Sequence, residues 1–278
     1  MGDLGRWLKS RTNLEKVAML VFLLGGIFLL WYELCHIASF NHDGWSMGYI
    51  FNVCLGIIFA VNIYGNWVMM MLSDPTGRDI VFPCGPTPPG WRYCDVCVAN
   101  RPPRSHHCPV CKTCILKRDH HCWFAGTCVG HANHRYFFVL IVYIVVAGVY
   151  CNLYNWSFVW SVKGEFSLWT IVSFIAPHVS IVLGYESLYS FLITSLSTIG
   201  FSLTFLFSWL LQIQLAQVVH GQTRYERKKG IKEYDQGLWE NLRQILGNRM
   251  FLVFLFPWIP SSVPGDGTKF YSHSQKVI

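Results

Sequence analysis

Four apolar stretches dominate the pattern of the chain, at residues 17–34, 48–72, 136–160 and 188–218. Each is close to or longer than the roughly 20 residues that a helix needs to cross a hydrocarbon core of about 30 Å. The longest polar segment, residues 73–135, lies between the second and third stretches. This pattern predicts an all-α polytopic membrane protein with four transmembrane helices and a small polar domain between spans 2 and 3. No internal repeat stands out.

A fifth apolar stretch, residues 167–184, is shorter and contains Pro177 and His178. Five full spans would place the basic tail on the opposite side of the membrane from residues 73–135. We therefore expect this stretch to be re-entrant or to lie on the lumenal surface. A fifth span is the alternative, because the surrounding connection contains only Lys163 as a basic residue and indicates its side weakly.

Basic residues predict the orientation of the chain. Lys and Arg are concentrated before the first stretch, in the central polar segment and after the fourth stretch, whereas the connection 35–47 has neither. Lys and Arg prefer the cytoplasmic side of a membrane. The predicted division is a cytosolic N-terminus (1–16), spans 1 and 2 (17–72), a cytosolic cysteine-rich domain (73–135), spans 3 and 4 with the short element (136–218), and a cytosolic tail (219–278).

Composition agrees with a membrane protein. Hydrophobic residues make up 53% of the chain and charged residues 13%, against about 25% charged residues in a typical soluble domain. The formal net charge is +7, which in a membrane protein reflects its cytoplasmic loops more readily than nucleic-acid binding. We expect membrane lipid as a partner and no nucleic acid.

Seven of the eleven cysteines lie between Cys94 and Cys128, and histidines are interspersed among them. Two CxxC pairs with downstream histidines are a strong zinc signal, because close spacing lets one turn supply two ligands to a tetrahedral ion. Two closed sites need eight ligands, whereas seven cysteines and two histidines supply nine, so one cysteine is free for chemistry. Spacing alone indicates neither which cysteine is spare nor whether the sites are sequential or interleaved.

The run Asp119, His120, His121, Cys122 contains a nucleophile, a candidate base and a carboxylate that could orient the base. A free thiol, with a pKa of about 8.5, is mostly protonated at neutral pH, and a neighbouring histidine can take its proton. We expect nearby zinc and two basic neighbours to lower the pKa of the thiol, and a turn to bring the three groups together. The alternative is that Cys122 is a further zinc ligand and Asp119 the partner of a metal-bound histidine. The basic neighbours are Lys117 and Arg118.

At every ligand spacing this segment resembles the DHHC-type protein S-acyltransferases (palmitoyltransferases), and the similarity extends to Asn133, Phe137 and the four-span layout. The resemblance implies that Cys122 is the nucleophile, His120 the base and Asp119 its orienting partner. It also implies two structural zinc ions (Zn²⁺). Their ligands would be Cys94, Cys97, His107 and Cys114 in one site, and Cys108, Cys111, His121 and Cys128 in the other.

The tail carries a Gly-Gln-Thr motif that ends at Thr223, similar to short members of the family, and Asn241 resembles an asparagine of the family's C-terminal element. The family's Thr-Thr-x-Glu motif ends here at Glu226, but Arg224 replaces its second threonine. The pattern alone therefore does not establish that the tail contacts the active site.

The resemblance implies an enzyme that moves a long-chain fatty acyl group from acyl-CoA (palmitoyl-CoA) to cysteine thiols of target proteins, through a thioester on Cys122. The expected partners are acyl-CoA and cysteine-containing proteins at the cytosolic membrane face. We expect a multi-pass protein of the endomembrane system, in the Golgi or endoplasmic reticulum. The alternatives are a non-catalytic membrane-anchored zinc adaptor, and a thiol-exchange protein with a disulfide among these cysteines and no zinc.

Overall fold

The computed structural model describes residues 10–77 and 86–271. Most of the predicted N-terminal segment, part of the linker before the cysteine-rich segment and the end of the tail lie outside these ranges. Within them, four helices are long and apolar enough to cross a membrane, which confirms the prediction of four membrane helices. They are α1 (Asn13–Tyr32), α2 (Met47–Leu72), α3 (His134–Tyr154) and, after three short helices α4 to α6, α7 (Leu188–Val219).

Helix α1 begins four residues before the predicted span, because Thr12 and Glu15 cap it reciprocally. The Thr12 backbone N–H donates to Glu15 Oε2 at 2.7 Å, and the Glu15 N–H donates to Thr12 Oγ1 at 3.2 Å. This capping box satisfies N–H groups that a helix start leaves without partners. After Tyr32 the chain remains helical, first as a π turn (Glu33–Ile37) and then as a short α turn (Ala38–Asn41).

The predicted third span, residues 136–160, is wrong at its far end. Helix α3 stops at Tyr154, and α4 (Trp156–Lys163) follows after a break at Asn155. The Asn155 side-chain amide donates to Glu33 Oε1 at 2.6 Å. The backbone of Asn155 keeps a helical conformation, and its N–H donates to Cys151 O at 2.8 Å, so the interruption is confined to this residue.

The fifth apolar stretch forms two short helices, α5 (Leu168–Ile175) and α6 (Pro177–Val182). Pro177 separates them because a proline lacks the N–H that would continue α5 but is accommodated in the first turn of α6. Helices of eight and six residues extend only about 12 and 9 Å. Neither can cross a core of about 30 Å, so this stretch forms no single spanning helix.

The chain divides into two compact units. The second unit contains residues 27–60 and 141–211, with a core built around Tyr32, Ile37 and Phe158. In this unit Lys163, the basic residue of the connection before α7, is buried in an ion pair with Glu186. The first unit contains residues 1–26, 61–140 and 212–278 and holds every residue of the predicted site.

The cysteine-rich segment folds into three antiparallel hairpins of identical register. In each, the last residue of the first strand is a cysteine that pairs with the first residue of the second strand: Cys94 with Ala99, Cys108 with Thr113 and Cys122 with Thr127. The hairpins therefore repeat every 14 residues, and the prediction that the chain has no internal repeat is wrong. Their strands are β1 (Arg92–Cys94), β2 (Ala99–Arg101), β3 (His106–Cys108), β4 (Thr113–Ile115), β5 (His120–Cys122) and β6 (Thr127–Val129).

The loop of each hairpin closes on a residue with left-handed backbone, at Val98, Lys112 and Gly126, with φ of 51°, 55° and 57°. A β-branched residue adopts this conformation only when its surroundings impose it. In each loop the first cysteine accepts a backbone N–H from the residue three positions further on. The three loops therefore share one turn geometry that presents N–H groups to a sulfur atom.

Candidate active site and metal centres

Two clusters of four ligand side chains form where the hairpins meet. In each cluster all four ligand atoms lie within 4.8 Å of one another. Both sets have the members that the family resemblance implies. The first cluster is Cys94, Cys97, His107 and Cys114, and the second is Cys108, Cys111, His121 and Cys128.

Both clusters have the dimensions of a tetrahedral zinc site. The Nδ1 atom of His121 lies 3.7 Å from Cys108 Sγ, 3.3 Å from Cys111 Sγ and 3.6 Å from Cys128 Sγ. Zn–S bonds of 2.3 Å and Zn–N bonds near 2.0 Å imply N···S distances of about 3.6 Å. The ten cysteines of the described ranges are free thiols.

The clusters are interleaved along the chain, because Cys108 and Cys111 of the second lie between His107 and Cys114 of the first, and each cluster joins two hairpins. The loop of one hairpin contributes a CxxC pair, and the next hairpin contributes a histidine and a cysteine that face each other across its strands. His107 pairs with Cys114, and His121 with Cys128. A metal ion in either cluster would therefore tie consecutive hairpins together.

The third hairpin departs from this scheme at its loop. Cys122 occupies the position of Cys94 and Cys108, but Ala125 stands where the second cysteine of each CxxC pair would be. Cys122 accordingly belongs to neither cluster. The repeat thus identifies the spare cysteine, which spacing alone could not do.

Strand alternation separates the two histidines before Cys122. Successive side chains of a strand point to opposite faces, so within β5 His120 and Cys122 share one face, and His121 points to the other. His121 enters the second cluster, whereas the Nδ1 atom of His120 donates to Asp119 Oδ2 at 2.8 Å. An extended strand therefore separates the functions of neighbouring side chains, and no turn is needed.

Asp119 is buried and accepts hydrogen bonds from four donors. Besides His120, these are the side-chain amides of Gln214 and Gln217 near the end of α7, at 3.0 Å each, and the backbone N–H of Arg224, at 2.7 Å. Burial is the largest single effect and would raise the pKa of this carboxyl group. The hydrogen bond and charge of His120, the charge of His134 and the N–H of Arg224 together outweigh it and hold the pKa of Asp119 well below its usual range. The ionised carboxylate fixes the hydrogen of His120 on Nδ1, which leaves Nε2 as the basic nitrogen.

The network around Asp119 continues away from the reacting groups. The Nε2 atom of Gln214 also donates to Gln217 Oε1 at 2.8 Å, and Gln214 Oε1 accepts from His134 Nε2 at 3.0 Å. The His120 ring packs edge-on against buried Phe137, with centroids 4.6 Å apart. These contacts restrict the rotation of both the carboxylate and the imidazole.

The packing around Cys122 opposes the expected lowering of the pKa of its thiol. Burial raises the pKa of Cys122 to about 12, and the backbone N–H groups of Ala125 and Phe124 offset only part of this effect. The expected cations serve other partners: Lys117 Nζ donates to Gln244 O at 3.2 Å, and Arg118 bonds to sulfur atoms of the second cluster. The resting thiol is therefore protonated and needs a base.

The tail contacts the site although Arg224 replaces the second threonine of the tail motif. Its backbone N–H reaches Asp119, so this contact does not depend on the side chain. Thr223 and Glu226 form a capping box that starts α8 (Arg224–Lys229). Arg104 of the hairpin domain is fully buried and binds both carboxylate oxygens of Glu226, at 2.8 and 2.7 Å. This bidentate ion pair fastens the tail to the hairpins.

Asn241, on helix α9 (Leu238–Leu246), organises the end of the tail motif. Its side chain donates to Val219 O at 3.1 Å and to Asp235 Oδ1 at 2.8 Å. Gly221 has a φ of +59°, and a Cβ atom there would lie 2.7 Å from Asn241 Oδ1. The glycine is therefore required by both its backbone conformation and the close approach of Asn241.

Glu15 supports the second cluster from the start of α1. Its Oε1 atom accepts from His121 Nε2 at 3.1 Å, while Oε2 serves the helix cap at Thr12. A carboxylate on the outer nitrogen of a metal-binding histidine fixes its tautomer and ring orientation. This contact ties the first membrane helix to the hairpin domain.

Sequence reasoning missed Glu15, Gln214, Gln217 and Arg104. Each had a signal of its own. The glutamines interrupt the apolar pattern of α7, and Glu15 stands three residues after a threonine at the start of an apolar run, which is a capping-box pattern. Arg104 could have been found through the repeat, because Arg-x-His-His-Cys occurs twice, ending at Cys108 and at Cys122.

A buried thiol on the same strand face as an oriented histidine, on a membrane protein, indicates an enzyme that works through a cysteine. Residues 88–231 match the family model described as DHHC palmitoyltransferase. "Probable palmitoyltransferase ZDHHC24" of Danio rerio is 32% identical over 213 residues, which cover 75% of this chain and 71% of the relative. The protein of that name in Rattus norvegicus is 33% identical, covering 76% and 74%. The one in Homo sapiens is 33% identical over 221 residues, covering 78% and 77%.

The chain therefore belongs to the DHHC palmitoyltransferase family, and the predicted family is confirmed. It is a protein S-palmitoyltransferase, as the sequence analysis expected. The family model includes all three hairpins, α3 and the tail motif up to residue 231.

Proposed function

We propose that the enzyme transfers a long-chain fatty acyl group from acyl-CoA to cysteine thiols of target proteins, through a thioester on Cys122. The observation that carries this proposal is the position of Cys122: it lies outside both four-ligand clusters and shares a strand face with His120. Asp119 completes the set through its hydrogen bond to His120. Cys122 is the nucleophile, His120 the base and Asp119 the group that orients it.

In the first step His120 Nε2 accepts the proton of the Cys122 thiol. The thiolate attacks the carbonyl carbon of the acyl-CoA thioester, the bond from the acyl carbon to the CoA sulfur breaks, and the CoA thiolate takes the proton from His120. Asp119 stabilises the histidine while it carries the positive charge. Because burial keeps the Cys122 thiol protonated at rest, the base makes the difference between an inert and a reactive sulfur.

In the second step the thiol of the target protein gives its proton to His120 and attacks the acyl carbon on Cys122. The thioester bond to Cys122 breaks, and the departing Cys122 thiolate is protonated by His120. The acyl group then resides on the target cysteine, and the enzyme has returned to its starting state.

We also propose that the two clusters hold structural zinc ions. A closed site of three cysteines and one histidine is typical of structural zinc, which contributes folding energy rather than chemistry. Cys94, Cys97, His107 and Cys114 would hold one ion, and Cys108, Cys111, His121 and Cys128 the other. Both leave Cys122 free.

The proposed setting is the cytosolic face of an endomembrane, in the Golgi or endoplasmic reticulum. Three observations support it: the four apolar helices, the basic residues of the segments that flank them, and the need of zinc thiolates for a reducing compartment. On this proposal the divisions of the chain are those predicted from the sequence, and acyl-CoA and membrane-bound target proteins reach Cys122 from the cytosolic leaflet.

The proposal is tested by Cys122→Ser, with Cys35→Ser as a matched change at a cysteine outside the clusters. Each purified protein is incubated with an alkyne-tagged fatty acyl-CoA and a cysteine-containing membrane-anchored peptide, and its zinc content is measured. Cys122→Ser should lose hydroxylamine-sensitive label on both enzyme and peptide while it retains two zinc ions per chain. Cys35→Ser should behave as the unmodified protein. If Cys122→Ser transferred acyl groups normally or lost a zinc ion, the assignment of Cys122 as the nucleophile would be wrong. If the unmodified protein took up no label, the hypothesis of a non-catalytic zinc adaptor would replace the proposed enzyme.

A further inference from the structure

Residues 249–261 of the tail form a closed loop, called here the apolar loop. Its two ends are fastened to each other: Asn248 N–H donates to Ser262 O at 3.1 Å, and Arg249 N–H donates to Ser261 Oγ at 2.9 Å. Ser261 Oγ in turn donates to Leu246 O at 2.7 Å. These hydrogen bonds hold the two ends of the loop together next to the end of α9.

The tip of the apolar loop presents large hydrophobic side chains outward. Five of them are between 49% and 70% exposed, whereas Val253 and Pro257 point inward. Trp239 of α9 extends the patch, with its ring 6.5 Å from that of Phe251. A contiguous apolar surface of this kind marks an interaction site. The exposed residues are Phe251, Leu252, Leu255, Phe256 and Trp258.

The inward side of the apolar loop packs against the middle of helix α2. Asn62 Nδ2 donates to Leu255 O at 3.4 Å. A Cβ atom on Gly65 would lie 2.4 Å from Pro257 Cγ, so the glycine allows the proline to approach the helix backbone. The contacts lie within the first unit and fix the level of the loop along α2.

That level lies below the membrane surface. At 1.5 Å per residue, Gly65 and Asn62 lie roughly 10 and 15 Å from the end of α2 at Leu72. The whole helix has 26 residues, or about 39 Å, which exceeds a core of about 30 Å by roughly 9 Å. Even if all of this excess protruded at the Leu72 end, both contacts would lie within the hydrocarbon region.

The base of the apolar loop is polar. Arg135, the second residue of α3, donates from Nη1 to Ile259 O and Ser261 O at 3.1 and 3.2 Å. Arg249 at the other end of the loop is exposed. The arginines at the base of the loop would lie at the level of the lipid headgroups, and the aromatic side chains at its tip would lie among the acyl chains of the same leaflet.

We propose that the apolar loop inserts into the leaflet around the Leu72 end of α2, with lipid acyl chains as its partner. The tail would then not be wholly cytosolic as predicted for residues 219–278: it would return to the membrane between α9 and the described end of the chain. The contacts with α2 favour lipid over a water-soluble protein partner, because the side chains at the tip are level with the interior of a membrane helix.

The test places a photo-reactive benzophenone amino acid at Phe256 of the full-length protein in phospholipid vesicles. Tyr271 provides the matched control: it is an aromatic residue of the same tail, 79% exposed and outside the loop. After illumination, mass spectrometry should find phospholipid adducts at position 256 and none at position 271.

Two results would overturn the proposal: the absence of lipid adducts at position 256, or adducts there to protein alone, which would indicate a protein interface instead. Benzophenone at Trp258, on the same exposed face, repeats the test if the first variant folds poorly. The readout does not depend on acyl transfer, so it separates this proposal from the proposed function.

Discussion

The second and third hairpins have the same fold but carry out different tasks. Residues 104–108 read Arg-Ser-His-His-Cys, and residues 118–122 read Arg-Asp-His-His-Cys. The strands pair in the same register, and both loops close on a left-handed residue. Nevertheless Cys108 belongs to a four-ligand cluster and Cys122 does not.

Two positions account for the difference. Cys111 completes the CxxC pair of the second loop, whereas Ala125 stands at that position in the third, so Cys122 lacks the neighbouring thiol needed for a closed metal site. Ser105 precedes the histidines of the second hairpin, whereas Asp119 precedes those of the third and accepts a hydrogen bond from His120. On the proposed function, a turn of the metal-binding type thus holds a nucleophile in place once one ligand is missing and a carboxylate is present.

The largest effect is expected from Cys111→Ala. This substitution gives the second loop the alanine that the third loop has at the equivalent position, Ala125. The second cluster then lacks a thiolate, and structural zinc contributes apparent binding energies of about 10–16 kcal/mol in small zinc domains. We expect the variant to lose one zinc ion per chain and to unfold at a lower temperature. Zinc content and thermal unfolding measure this. A variant with two zinc ions and unchanged unfolding would disprove the role of the second cluster.

The next effect concerns the histidines that occupy equivalent positions. His120→Ala should reduce acyl transfer by roughly 10²- to 10⁴-fold, the usual contribution of a general base, while zinc content and unfolding temperature stay unchanged. His106→Ala is the matched control, because His106 packs on Tyr225 and is preceded by Ser105 rather than by a carboxylate. Equal losses of rate per folded chain in the two variants would show that the hairpins do not differ as described.

A smaller effect is expected at Glu15, which distinguishes the clusters by supporting the second through His121. Loss of such a carboxylate typically costs 10- to 100-fold in metal affinity. In Glu15→Ala one of the two zinc ions should therefore be removed faster by a chelator, and the other at the normal rate. Glu15→Gln, which can still accept a hydrogen bond, should fall between. Release of both ions at unchanged rates would show that this contact has no such role.

The smallest effect is expected from Ala125→Cys, which restores a CxxC pair in the third loop. Ala125 is fully buried, and cysteine is only slightly larger, so the reduced variant should transfer acyl groups normally. Added zinc or a mild oxidant should inhibit it and leave the unmodified protein active, and a chelator or reductant should restore activity. Complete insensitivity to both treatments would mean that the third loop does not present its side chains as the second loop does.

The spans and a metal-binding segment could be predicted from the residues, because apolar length and CxxC spacing are local signals, whereas the division of the ligands into two sets followed from the family resemblance. The glutamines of α7 stand out as polar residues in an apolar pattern, but their bonds to Asp119 could not be predicted, because Gln214 and Gln217 reach it only once α7 ends beside the hairpins. Strand geometry was also hidden: strands of three residues are too short to show alternation, so the opposite directions of His120 and His121 became evident only in the fold. The burial that raises the pKa of Cys122 likewise depends on packing rather than on neighbours in the sequence.

In the proposed mechanism Cys122 alone carries the acyl group between donor and target. This claim is tested most directly by mixing the purified enzyme with acyl-CoA in the absence of a target and mapping the acyl group by mass spectrometry of the intact protein and its peptides. The account predicts one thioester-linked acyl group per chain, on the peptide that contains Cys122, with the release of an equal amount of CoA. An acyl group on a cysteine of either cluster, or CoA release that persists in Cys122→Ser, would contradict it.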